Sequence, residues 1–239
     1  MGPDGAGEIA DALREAGASL VGFADLSPFP AEATAGVLAA VSIAKALDPR
    51  VVAGLRDGPT AEYHAEYERV NAALAGLSRL AAGMLEARGH RALVAPVTVR
   101  AVDDGALATP LPHKSVATRA GLGWIGHSAL LVTREHGPAV RLARVLTDAP
   151  LPSARPIERS RCGACRRCAD ACPAGAISGR PWTPGLPRER FFDARACRNE
   201  ASRRAAARGL DATICGICIH ACPWTERFVR RAAGAVRGR

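Results

Sequence analysis

Along the first 150 residues, apolar side chains recur in blocks whose spacing switches between helical and extended. Residues 7–16 follow an amphipathic helical pattern ended by Gly17, and Leu20, Val21 and Phe23 then predict a strand. A second strand is predicted over 37–43. After it, the turn residues 57–60 offer Thr60 as the N-cap of a long helix over 61–87. In that helix Tyr63, Tyr67, Val70, Leu74, Leu77, Ala81, Met84 and Leu85 keep to one stripe, so the two tyrosines read as core rather than as substrate contacts, and Gly89 ends the element. Further strands are predicted over 92–99, 128–133 and 139–147, the last two set around a turn at Glu135-His-Gly137. Helices and strands alternate, which predicts an α/β fold in the broad sense that includes α+β.

The chain has 239 residues, enough for one large domain or for one medium and one small domain. Its apolar stretches are far shorter than a membrane span requires. The first residues carry acids where an export signal would carry a basic and then an apolar region, so a cytoplasmic protein with no membrane partner is expected. Aromatic residues, at 4%, are too sparse for a base-stacking surface.

Cysteine changes this picture, because all eight fall in the last third and divide the chain into an expected domain over 1–152 and a second over 153–239. Cys162, Cys165, Cys168 and Cys172, with Pro173, have the spacing C-x2-C-x2-C-x3-C-P, the bacterial ferredoxin run. Three thiolates two residues apart wrap one corner of a cubane, while the fourth, redirected by the proline, serves a second cluster. A second set is present as Cys215, Cys218 and Cys222, with Pro223, preceded by Cys197. The count closes with Cys162, Cys165, Cys168 and Cys222 on one [4Fe–4S] cluster, and Cys172, Cys197, Cys215 and Cys218 on the other. Zinc held by paired knuckles is the competing account, and it leaves the two C-P endings unexplained. His220, inside the second run, reads as a bystander, a donor to sulfide or a Rieske-like ligand.

The net charge of +9 is local too. Residues 151–239 hold 18 arginines, no lysine and 7 acids, a local charge of +11 that leaves −2 for the first 150. Some of this excess, including Arg161, Arg166, Arg167 and Arg198, is expected to balance the negative clusters. Arg203, Arg204, Arg208, Arg230 and Arg231 remain as candidates for an acidic redox partner, a phosphate backbone or ordinary surface positions.

Between the predicted strands 92–99 and 128–133 lies a helical start at His113 and Lys114 that breaks into Gly121-Leu-Gly-Trp-Ile-Gly126. Its glycines permit positive φ and close approach of a flat ligand, although the spacing is not that of a dinucleotide fingerprint.

With its glycine segment 120–126, the stretch 146–151 and the cysteine runs 162–173 and 215–224, the chain resembles the epoxyqueuosine reductase family. The resemblance implies a nitroreductase-like, corrinoid-binding N-terminal domain followed by a small ferredoxin-like double [4Fe–4S] domain. It implies that the clusters pass electrons to a base-off cobalamin, which reduces a bound substrate; in the family this is an epoxide on a tRNA base, a step of queuosine biosynthesis. A low-potential donor, a ferredoxin or flavodoxin, is the implied partner, with tRNA as a further candidate. His113, Lys114, Gly121, Gly123, Trp124 and Gly126 are the candidate cofactor-binding residues. The family's proton-donor Asp falls at Leu107 here, which leaves Asp103, Asp104 and His127 as catalytic candidates, His127 standing where the family has lysine. The sequence reads as a short form without the family's helical-repeat tail. An alternative function is an electron-transfer iron–sulfur partner with no substrate chemistry of its own.

Overall fold

The computed structural model of the chain describes residues 3–98 and 107–237. In chain order the elements are α1 (Pro3–Glu15), β1 (Leu20–Asp25), α2 (Ala31–Thr34), β2 (Ala39–Ala46), α3 (Pro49–Ala53), α4 (Ala61–Glu86), β3 (Ala92–Val94) and α5 (His113–Arg119). They continue with β4 (Trp124–Ile125), β5 (Leu131–Val132), β6 (Val140–Thr147), α6 (Arg167–Asp170), α7 (Ala194–Ala206), α8 (Ile217–His220) and α9 (Pro223–Arg237). Among the described residues no helix is long and apolar enough to cross a membrane.

The chain forms two compact units, each assembled from separated segments. The first comprises Met1–Lys45, Val70–Gly123 and Arg141–Ile157, and the second Ala46–Arg69, Trp124–Val140 and Glu158–Arg239. This departs from the expected cut at 152/153. Local composition marks where the cysteines lie, but it carries no trace of the distant segments that pack beside them.

In the first unit a four-stranded sheet has the order β1-β2-β6-β3. β1 pairs antiparallel with β2, Leu20 opposite Ala44 and Phe23 opposite Val41, and β3 pairs antiparallel with β6, Ala92 opposite Thr147. The fold class is therefore α+β within the broader α/β expectation. Ile9 and Leu13 of α1, and Val70, Leu74, Leu77, Ala81 and Leu85 of α4, are buried at the spacing the periodicity predicts. The start of α4 belongs to the second unit, where Thr60 caps it, its hydroxyl accepting from the Tyr63 N–H at 3.1 Å, and Tyr63 is buried as core. A separate cluster joins Ala24, Leu26 and Ala40 of the sheet side to Val116 and Ala120 around α5. There β1 runs so close to the turn after α5 that a Cβ on Gly22 would stand 2.5 Å from the Ala120 carbonyl oxygen.

In the second unit β5 pairs with β4, Trp124 opposite Val132, as a two-stranded sheet. The expected pairing of 128–133 with 139–147 around Glu135-His-Gly137 does not form: only a single bridge joins Thr133 to Gly137, and β6 belongs to the other sheet. The third predicted strand is short, ending at Val94. Ile125, Ala129 and Phe191 form a small core with Trp182, Leu186 and Phe192 packed on it.

Candidate metal centre

Each cysteine run folds as a tight loop leading into one helical turn. Gly163 lies at φ 55°, in the left-handed region that an L side chain avoids, and lets the Cys165 N–H reach the Cys162 carbonyl at 3.2 Å before α6 presents Cys168. Cys172 follows as the chain leaves α6, its N–H on the Ala169 carbonyl. The second run repeats the design. Gly216, at φ 87°, opens α8 with Cys218 on its first turn, and Pro223 starts α9 directly after Cys222. A Cβ on Gly216 would fall 2.7 Å from Leu55, a residue no local pattern connects with the cysteines. Cys197 sits in the first turn of α7, capped by Asp193, which accepts from the Ala196 N–H at 2.9 Å.

The packing of α6 against α8 sorts the thiols into two groups of four. Burial, with the neighbouring charges of Cys222, Cys162 and Cys165, pushes the Cys168 thiol up to about 11. Burial, then Cys172 and Cys215, does the same for Cys197, also to about 11. Cys218, the most enclosed, is pushed higher still, with Cys197, Cys215, Cys168 and Cys172 as its neighbours. The first group is thus Cys162, Cys165, Cys168 and Cys222, and the second Cys172, Cys197, Cys215 and Cys218. The first group takes three members from the first run and one from the second, and the second group takes two from the second run, one from the first and one from α7. Among the described residues no three His, Cys, Asp or Glu side chains converge as the ligands of a single ion do. The thiols of the first group instead line a cavity, together with Gly126, His127, Ser128, Val132, Pro223 and Trp224. That lining is mostly thiol and apolar, with His127 and Ser128 as its polar residues and no acidic one. At Gly126 a Cβ would stand 2.7 Å from Val132 and 3.4 Å from Cys162 Sγ, so only glycine leaves this side open. A cavity ringed by four thiols and without a carboxylate suits an iron–sulfur cubane, whose ligands are thiolates at separate corners.

His127 is the one polar side chain with a buried, unpartnered atom on this wall. Its ring is 2% exposed, Nδ1 lies 2.9 Å from the Cys165 carbonyl, and Nε2 has no partner within the protein. Behind it the fully buried Trp124 meets Trp224 edge-to-face, centroids 5.2 Å apart, with Arg161 over the first ring and Arg227 over the second. His220 is turned away from this wall, Nδ1 lying 3.3 Å from the Val52 carbonyl. Nothing in the sequence marks Trp224 as a neighbour of Trp124, since they are far apart in the chain.

The other candidate residues divide between the units. Trp124, Gly126 and His127 gather at the first thiol group, while His113, Lys114, Gly121 and Gly123 belong to the first unit. His113 and Lys114 open α5. Both ring nitrogens of His113 are engaged: Nε2 donates to the Pro96 carbonyl at 2.9 Å, and Nδ1 accepts from Arg144 at 3.1 Å. Gly121 has φ 70°, and a Cβ there would meet Ala154 at 3.3 Å, so its glycine serves close packing of the chain on itself. Leu107 is left-handed, at φ 47°, and Asp103 and Asp104 lie outside the described residues.

The arginines left open between a partner and ordinary surface positions make contacts within the chain, Arg203 and Arg230 while remaining exposed. Arg203 and Arg204 both pair with Glu200, at 2.7 and 2.6 Å, and hold its carboxyl down to about 2. Arg208 donates to the Asp57 carbonyl at 2.9 Å and to that of Pro59, Arg230 pairs with Glu226, and Arg231 donates to the Glu135 carbonyl. Arg167 also pairs with Glu226, at 2.8 Å.

Comparison with known proteins agrees with this geometry. Residues 161–225 match the family described as 4Fe-4S double cluster binding domain. The epoxyqueuosine reductase of Synechocystis sp. is 34% identical over 123 residues, covering 51% of this chain and 42% of that protein. The chain thus spans about two fifths of the length of this curated relative. In solved structures the fold recurs in an epoxyqueuosine reductase bound to an epoxyqueuosine-modified tRNA stem loop, with a TM-score of 0.62, 20% identity, and coverage of 92% of this chain and 65% of that one. It recurs also in a reductive dehalogenase whose structure suggests a mechanism for B12-dependent dehalogenation, with a TM-score of 0.65, 20% identity, and coverage of 94% and 33%. Over about half its length the chain is thus similar to epoxyqueuosine reductases, which are enzymes, and its residues 161–225 match a double [4Fe–4S] cluster binding domain.

Proposed function

We propose that this chain is a cytoplasmic iron–sulfur reductase. In this reading Cys162, Cys165, Cys168 and Cys222 hold a first cluster and Cys172, Cys197, Cys215 and Cys218 a second. The two relay single electrons from a low-potential donor, a ferredoxin or flavodoxin, to a base-off cobalamin that reduces a bound substrate. The observation that carries the reading is the sorting of eight thiols into two groups that exchange one member between runs. Cobalamin supplies two-electron chemistry when bound. Support for it comes from the fold shared with a B12-dependent dehalogenase. The described geometry of His113 and Gly121 is taken up within the chain, so neither is assigned to hold a corrinoid. What this chain's residues do is bind the clusters, keep water from the first through Trp124, Val132 and Trp224, and carry electrons between the two. The relatives' name makes an epoxide on a modified tRNA base the first substrate to assay.

The test is anaerobic reconstitution with iron and sulfide, addition of hydroxocobalamin, gel filtration, and visible and EPR spectra after reduction. Co-elution of about one base-off cob(II)alamin with two cubane signals supports the reading. Two cubane signals without retained corrinoid would reduce it to an electron-transfer protein, and one cubane or none would overturn it.

A further inference from the structure

The turn that follows β5 is held along one face of α9. A Cβ on Gly137 would stand 2.6 Å from the Thr225 backbone nitrogen, so the turn and the start of the helix are pressed together. His136 meets Phe228 edge-to-face, ring centroids 5.0 Å apart, and Arg231 donates to the Glu135 carbonyl. Thr225, Phe228 and Arg231 are three residues apart, so neighbouring turns of α9 present them in succession. The Thr133 hydroxyl braces the turn from within, accepting from the His136 N–H at 3.0 Å.

Beside these contacts lies an open cavity of about 530 Å³, lined by Arg134, Glu135, His136, Phe228, Arg231 and Ala232. All six belong to the second unit, and no cysteine is among them. Elsewhere in this unit arginines find carboxylates: Arg203 and Arg204 share Glu200, and Arg167 and Arg230 share Glu226. Around the cavity they do not. Among the described residues Arg134, Glu135 and Arg231 form no ion pair, and Arg231 uses only Nη2, on a carbonyl. The His136 ring adds Nδ1, buried and without a partner in the chain.

Two guanidiniums on one cavity suit an anion with several oxygens, phosphate more than carboxylate. The Glu135 carboxylate beside them accepts only, and its complement is a hydroxyl donor. Phe228 and Ala232 supply an apolar wall for a flat ring. Phosphate, hydroxyl and flat ring occur together in a ribonucleotide, whose 2′-hydroxyl stays available even within a strand.

We propose that this cavity binds a ribonucleotide, free or within a strand: Arg134 and Arg231 hold its phosphate, Glu135 accepts from the 2′-hydroxyl, and the base lies against Phe228. The site is separate from the thiols and does not rest on the reductase reading.

The experiment is isothermal titration calorimetry of the full reconstituted chain. Its probes are adenosine monophosphate, the 2′-deoxy form, inorganic phosphate, and one stem loop made as RNA and as DNA. The ribose form is expected to bind about tenfold tighter than the deoxy form or inorganic phosphate, and Arg134→Ala to weaken it about tenfold. Arg159→Ala removes the same charge from an exposed position outside the lining and is expected to change little. Glu135→Gln is expected to erase the preference for ribose while binding inorganic phosphate more tightly. Binding of the mononucleotide supports a free ligand. Binding of the RNA stem loop alone, sensitive to Arg134→Ala and not to Arg159→Ala, supports a nucleotide within a strand. No preference for ribose, equal losses in Arg134→Ala and Arg159→Ala, or binding of neither ribose probe overturns the proposal. Loss of the clusters or of corrinoid, read by EPR, bears on the reductase reading alone.

Discussion

Arg144 donates to Nδ1 of His113 across 3.1 Å, so that a guanidinium and an imidazole share one hydrogen bond with no proton between them to spare. With Nε2 donating to the Pro96 carbonyl, the ring is satisfied only in its neutral form. Burial, then the Arg144 charge, pushes the His113 pKa down to about 4, against the Pro96 contact that opposes the shift. The unfolded chain therefore binds this proton more tightly than the folded one between pH 6.5 and about 4. Stability is fully present above pH 6.5 and is lost as the pH falls through that window, by at most about 3 kcal/mol. Urea unfolding across this range reads it out, and His113→Gln is expected to flatten the slope. A variant as acid-sensitive as wild type would rule out His113 as the cause.

The exchange of cysteines between runs predicts a pattern in paired variants. Cys162→Ser with Cys222→Ser strikes the same cluster twice, and one intact cubane is expected to remain by EPR. Cys172→Ser with Cys222→Ser strikes both, and neither signal is expected to keep its wild-type form. If each run served its own cluster, Cys162→Ser with Cys172→Ser would be the pair that spares one.

Gly126→Ala is expected to act on the first cluster before the second. Its new methyl would press on Val132 at 2.7 Å and on Cys162 Sγ at 3.4 Å. Overpacking of this kind costs about 1–3 kcal/mol. Iron release under chelator, followed by EPR, should show the first cluster lost several-fold faster and the second little changed.

Arg208 ties α7 to the segment before α4 through the carbonyls of Asp57 and Pro59, with Arg204 adding a 3.2 Å bond to the former. Charged hydrogen bonds of this sort contribute about 1.5–3 kcal/mol each at most. Arg208→Ala is expected to lower the thermal midpoint by several degrees, with Arg208→Lys recovering part. A variant that unfolds like wild type and instead loses affinity for an RNA stem loop would return Arg208 to the interface role considered from the sequence.

Much of the architecture is written locally. The stripe Val70, Leu74, Leu77, Ala81 and Leu85 specifies α4 because helix period and burial coincide there, and β1 follows Gly17 as the pattern indicates. Cysteine spacing carries the two thiol groups because ligand number and run length constrain them jointly. What escaped depends on distant partners. Leu131 and Val132 look like one arm of a hairpin with 139–147, yet they pair with Trp124 and Ile125, and the Glu135-His-Gly137 turn closes only a single bridge. Leu55 beneath Gly216, Trp224 beside Trp124 and the Asp57 carbonyl under Arg208 are each separated by about a hundred residues or more. Arginine counts left a basic face and ordinary surface positions both open, because composition records cations and not the carbonyls they meet. At His127 the expected proton-donor role and the observed place in the wall of the thiol cavity share one signal, a histidine beside the glycine segment, which spacing alone cannot resolve.

The interleaving of the two units has an evolutionary corollary. The cysteine-rich third looks like a cassette that recombination could append to any host, as free-standing ferredoxins suggest. Yet the unit that contains it also draws on Ala46–Arg69 and Trp124–Val140. A crossover at the edge of the cysteine segment would transplant the ligands without Leu55 under Gly216 or the Trp124 and Gly126 wall, and the recipient would inherit thiols with no cavity. Transfer of the second unit to another host therefore requires all three of its segments, Ala46–Arg69, Trp124–Val140 and Glu158–Arg239, to move together.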